Sequence, residues 1–69
     1  MIKAVVRINT PEIVEEVEKE IIKENPEHIE KKVFRNIIFM SVVGEAEKIE
    51  NIGKRLERFP KKDVMMIIK

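Results

Sequence analysis

Along residues 2–8 apolar and polar positions alternate. Ile2, Ala4, Val6 and Ile8 fall on one side, and Lys3, Val5 and Arg7 on the other. A period of two predicts a strand with one well-buried face. Thr10 and Pro11 then supply an N-cap and a first-turn proline. Ile13, Val14, Val17, Ile21 and Ile22 recur at helical spacing until Asn25-Pro26 ends the run. In residues 29–34 the charged Glu30, Lys31 and Lys32 interrupt Ile29, Val33 and Phe34, the pattern of an edge strand whose charges discourage stray pairing. Arg35-Asn36 is the hairpin turn, with Asn36 expected to take the positive φ. Residues 37–43 are apolar on both faces and read as a central strand, which Gly44 is expected to end by its freedom in φ. Ala46, Ile49, Ile52, Gly53, Leu56 and Phe59 mark a second amphipathic helix, closed by Pro60. Gly53 inside it costs about 1 kcal/mol relative to Ala, and close approach of helix to sheet would explain it. Residues 64–68 form a last strand, again apolar on both faces.

The order strand, helix, strand, strand, helix, strand is two split β-α-β halves. It predicts an α+β fold, the ferredoxin-like βαββαβ plait, as a single domain over residues 1–69. Right-handed crossovers put both helices on one face of an antiparallel sheet, with the first and third strands central. The alternative joins residues 29–43 into one long bent strand.

A sheet with one bare face should alternate apolar-in with polar-out, and only the first strand does so. With Ser41 turned outward, Ile37, Phe39 and Val43 go with it, while Ile38, Met40 and Val42 meet the helices. In the last strand Val64, Met66 and Ile68 turn inward, and Met65 and Ile67 outward. Val5, Ile37, Phe39, Val43, Met65 and Ile67 would then form a contiguous apolar patch on the uncovered face. Monomers rarely expose patches beyond a few hundred Å2. Burying this one at ~25 cal/mol per Å2 gives on the order of 10 kcal/mol across a dimer, before association costs. The expectation is a homo-oligomer, a homodimer or higher, formed through sheet faces or edges. The competing readings are a face covered by the chain's own loops or terminus, and a partner protein.

Size strengthens that expectation. A chain of 69 residues buries only about 60% of its unfolded surface, and small scaffolds lean on regular packing or oligomerisation. With no Cys there is no disulfide framework, thiolate metal site or thiol nucleophile. Abundant Lys and Glu, with Gln, Cys, Trp and Tyr absent, resemble a hyperthermophile composition. No apolar run approaches a membrane span and no signal peptide is visible, so a cytoplasmic protein without membrane contact is expected.

Fourteen basic against thirteen acidic residues give a net charge of +1, too even for a generic polyanion binder. The charge is nevertheless segregated. Residues 11–30 carry eight Glu against Lys19 and Lys23, which predicts an acidic, solvated first helix, with Glu15 and Lys19 as an i,i+4 pair and Glu16 and Glu20 in solvent. Lys54, Arg55, Arg58, Lys61 and Lys62 form a basic cluster. Helix-dipole complementarity with Glu45, Glu47 and Glu50 at the other end accounts for it; an anion-binding or nucleic-acid contact, or a subunit contact, are the other readings.

No catalytic constellation emerges, so the chain is read as not an enzyme. Ser41, His28 and Asp63 could make a nucleophilic triad only if the fold gathered them, and nothing in the pattern does. His28 lacks companions for a metal site. No cofactor is implied, because Gly44 and Gly53 fit neither the Walker nor the dinucleotide spacing. RNA-recognition modules share the strand order but stack bases on two or three exposed sheet aromatics. Phe39 is the only ring on the central strands.

Residues 37–44, the helix through Lys54-Arg55-Leu56, and residues 64–68 resemble the strand-helix-strand half of small ACT-like regulatory domains. The resemblance covers roughly half the chain and rests on pattern, without a diagnostic motif. It implies a stand-alone, non-catalytic regulatory module that pairs through its sheets. It also implies a small-molecule effector bound near the loop leaving a strand, which here is Gly44 and Glu45. The alternative is a nucleic-acid-binding accessory protein using the basic cluster.

Overall fold

The computed structural model describes residues 1–69. Strands β1 (Ile2–Ile8), β2 (His28–Phe34), β3 (Ile37–Gly44) and β4 (Val64–Ile68) alternate with helices α1 (Val14–Ile22) and α2 (Ala46–Leu56) in the order β1-α1-β2-β3-α2-β4. Every pairing is antiparallel and the sheet order is β2-β3-β1-β4. This is the ferredoxin-like α+β plait. The three-stranded alternative fails because the chain reverses at Arg35-Asn36, which brings Phe34 opposite Ile37.

Alternation builds the core. Ala4, Val6 and Ile8 of β1 and Met40 and Val42 of β3 have no exposed surface, and Val17 and Ile21 of α1 and Ile49, Ile52 and Leu56 of α2 close over them. At ~25 cal/mol per Å2 of apolar surface, this layer is the main source of stability.

Local details depart from expectation in four places. Thr10 does not cap the first helix; its hydroxyl donates to Asp63 Oδ1 at 2.6 Å, and residues Pro11–Ile13 make a 3-10 turn before α1 begins. The hairpin's positive φ falls on Arg35 (58°) and not on Asn36. The other non-glycine residue with positive φ is Asn25 (50°), just past α1. Gly44 has no positive φ, and a Cβ there would sit 3.6 Å from the Pro26 Cβ, an ordinary contact. At Gly53 the neighbour is not sheet backbone but the terminal methyl of Met66, 3.0 Å from where a Cβ would lie.

Candidate functional site

The strand registers define the sheet face away from the helices. Across it run the rows His28–Val43–Lys3, Glu30–Ser41–Val5–Ile67, Lys32–Phe39–Arg7–Met65 and Phe34–Ile37. All six apolar residues expected there, Val5, Ile37, Phe39, Val43, Met65 and Ile67, are on this face. The first four are half-buried; Met65 and Ile67 are 49% and 48% exposed. The patch is not one unbroken field. Arg7 stands between Phe39 and Met65, because the alternation that turns Val5 outward turns Lys3 and Arg7 outward too. Apolar contact between the β3 and β4 columns passes through Val5. Phe34, 62% exposed, joins the face beside Ile37. Its place follows from pairing across the two-residue turn, the signal that would have added it.

A groove of about 1020 Å3 opens on the helix side, between α2 and β4. Ile49, Gly53, Leu56, Val64, Met66 and Ile68 line it, with Glu50, Lys54, Glu57 and Lys61 at the rim. It exists because β4 is a sheet edge and α2 packs toward β1 and β3. Gly44 is buried at the end of β3, and Glu45, the single residue before α2, is exposed. Neither lines the groove, whose end at Ala46 follows them directly.

The helix layer carries an ion network that sequence spacing did not reveal. Glu16, Glu20 and Glu24, four residues apart, form a ladder facing Arg55 and Arg58. Arg55 Nε donates to Glu24 Oε2 at 2.7 Å and Arg55 Nη1 to Glu20 Oε1 at 3.4 Å. Arg58 Nη1 donates to Glu20 Oε2 at 3.1 Å, and Arg58 Nη2 lies 3.7 Å from Glu16. Lys23 adds a bond to Glu20 at 3.1 Å. Glu20 is therefore buried, at 7% exposure, rather than solvated. Spacing alone shows which residues share a stripe, not that the stripe meets a basic helix.

Hydrogen bonding from Lys23, with further help from Arg55 and Arg58, outweighs desolvation and holds the Glu20 carboxyl below its ordinary range. The Arg55 bond does the same for Glu24, and Asn51 adds to it. Glu24 in turn raises the Arg55 guanidinium.

This network divides the basic cluster. Arg55 and Arg58 are engaged with α1, and Lys54 lies 3.5 Å from Glu50. Lys61 and Lys62 are exposed on the loop before β4. The five do not form one free cationic surface, because α1 supplies the counter-charges. His28 and Ser41 are diagonal neighbours on the open face. Asp63 lies two strands away, accepting from Thr10, so the three are not assembled.

No family model matches the chain, and no curated protein matches it in sequence. Among solved structures the fold is similar to that of a Thermus thermophilus protein bearing the provisional name PII-like signaling protein. The TM-score is 0.74 at 14% identity, covering 99% of this chain and 83% of that one. It is also similar to the de novo designed protein Foldit4, with a TM-score of 0.59 at 23% identity, over 99% of this chain and 92% of the design. At these identities the likeness establishes the fold: a ferredoxin-like α+β domain. No helix is long and apolar enough to cross a membrane.

Proposed function

We propose that the protein is a non-catalytic regulatory module that acts by associating with itself and binding a small-molecule effector. The observation that carries this reading is the open sheet face. Val5, Ile37, Phe39 and Val43 lie half-buried there and Met65 and Ile67 about half exposed, on a side no helix covers. Association through this face or through the sheet's edges removes apolar surface from water, and for so small a core this is a large gain. The shared fold with a protein named for PII-like signaling supports the regulatory role.

The α2–β4 groove, one end of which at Ala46 directly follows Gly44 and Glu45 in the chain, is the concave surface for an effector. Its apolar floor and mixed-charge rim suit a ligand with an apolar body and a charged group. The alternative, a nucleic-acid accessory role for Lys54, Arg55, Arg58, Lys61 and Lys62, loses support because the Glu20 carboxylate of α1 already engages both arginines.

Sedimentation equilibrium together with native mass spectrometry of protein purified from its own cells tests the proposal. The expected result is an integer multiple of 8.1 kDa with retained small-molecule mass, and a shift to monomer for Ile67→Asp. A folded wild type that stays monomeric at high micromolar concentration overturns it.

A further inference from the structure

The self-association reading leaves open where two copies touch. Resting on that reading, we infer that they join at β4, edge to edge and antiparallel about a two-fold axis at Met66, into one eight-stranded sheet.

Backbone parity makes β4 available. Asn9 N donates to the Asp63 carbonyl at 2.8 Å, and Lys69 N to the Lys3 carbonyl at 2.8 Å. Both contacts join residues directly opposite in the β1–β4 register, in which Ala4 faces Ile68 and Ile8 faces Val64. Hydrogen-bonded pairs alternate in an antiparallel ladder. The N–H and C=O groups of residues 63, 65, 67 and 69 therefore face β1, and those of 64, 66 and 68 face outward. The outward N–H of Val64 is already used, donating to Pro60 O at 3.1 Å. Both groups of Met66 and Ile68 and the carbonyl of Val64 remain, on a strand at the sheet's edge.

Pairing β4 with itself about Met66 uses all but the Ile68 carbonyls. Each Met66 N–H meets the other Met66 carbonyl, and each Ile68 N–H meets the Val64 carbonyl of the second copy. The side chains agree with that register. Met65 opposes Ile67 on the open face, and Val64 opposes Ile68 on the groove face. Asp63 opposes Lys69, an opposite-charge pair. Sliding by two residues one way sets Lys61 against Lys69, a like-charge pair; sliding the other way leaves Lys69 against Met65. Met65, Ile67 and Ile68, at 49%, 48% and 52% exposure, are the side chains this junction covers.

The experiment compares wild type, Ile68→Pro and Phe39→Asp by sedimentation. Concentration-dependent amide exchange of the wild type accompanies it. Proline at 68 removes an N–H that has no partner within the chain and is tolerated on an edge strand; circular dichroism checks the fold. The expected outcome has three parts. Wild type is dimeric, with the Met66 and Ile68 amides gaining at least 10-fold protection as concentration rises. Ile68→Pro is a folded monomer. Phe39→Asp, on the open face away from the edge, stays dimeric. If Ile68→Pro assembles as wild type does while Phe39→Asp dissociates, the edge junction is overturned and face association survives. If wild type sediments as a monomer at every concentration up to high micromolar, both are overturned. Assembly without protection at Met66 and Ile68 also overturns the edge junction.

Discussion

The two edges of the sheet are built in opposite ways. β2 carries Glu30 and Lys32 on the open face and Lys31 on the helix side, where Lys31 Nζ reaches to 3.7 Å from Glu18. Charges on both faces, one of them turned inward, are devices that keep an edge from recruiting another strand. β4 is Val-Met-Met-Ile-Ile, with no charge between Asp63 and Lys69. One molecule thus guards one edge and leaves the other bare.

The largest expected effect comes from making β4 resemble β2. Met65→Glu with Ile67→Glu puts two like charges on its open face, and in the junction each would oppose a carboxylate of the second copy. The double variant should weaken self-association at least 100-fold, about 2.8 kcal/mol in binding free energy, as read by analytical ultracentrifugation. Unchanged affinity would mean that the bare edge is irrelevant to assembly.

Acid should separate folding from assembly. The folded Glu20 and Glu24 carboxyls are held below their ordinary 4.5. Their contribution is therefore fully present above that value and is lost as pH falls below it through the folded values. Thermal melts from pH 6 down to pH 3 should show Tm falling below about pH 4.5, and Glu20→Gln should flatten that fall while lowering Tm at pH 6. The network lies between α1 and α2, away from both edges, so the variant's association at neutral pH should match wild type.

Smaller effects should follow at β2. Arg35 sits at a φ of 58°, where a side chain costs roughly 1 kcal/mol that glycine avoids. Arg35→Gly should raise Tm by about 4–8 °C in a domain of this size; a lower Tm would show that the Arg35 guanidinium over Phe34, 5.4 Å from the ring centre, matters more. Lys31→Met removes a partly exposed ion pair and should change stability by less than about 1 kcal/mol. It should also raise light scattering at high concentration, because a guard on the second edge is gone.

How much of this was legible in the chain depends on the scale of the signal. The alternation of residues 2–8 and the two-faced apolar runs at 37–43 and 64–68 were enough for the plait, and the polar Ser41 was enough for the parity of β3. Arg35 was not legible, because propensity favours Asn at positive φ and tertiary pairing of Phe34 with Ile37 decided otherwise. Glu20 was misjudged as solvated, because the partners that bury it lie 35 and 38 residues away. That Val5, Ile37, Phe39, Val43, Met65 and Ile67 share one sheet face followed from alternation, but the interruption at Arg7 needed the cross-strand register. The groove needed the packing of α2, which no local pattern reports.

The exposure of β2 has a consequence for how the molecule comes apart. Six of its seven residues are exposed and only Ile29 is half-buried, so little apolar contact anchors it beyond its ladder to β3. Cooperative units with few buried contacts open at lower free energy than the whole. Its amides should exchange through a partial opening in which this hairpin arm peels away while the rest stays intact. The arm is thus the molecule's weakest seam, and its charges also keep that seam from being captured by another chain when it parts.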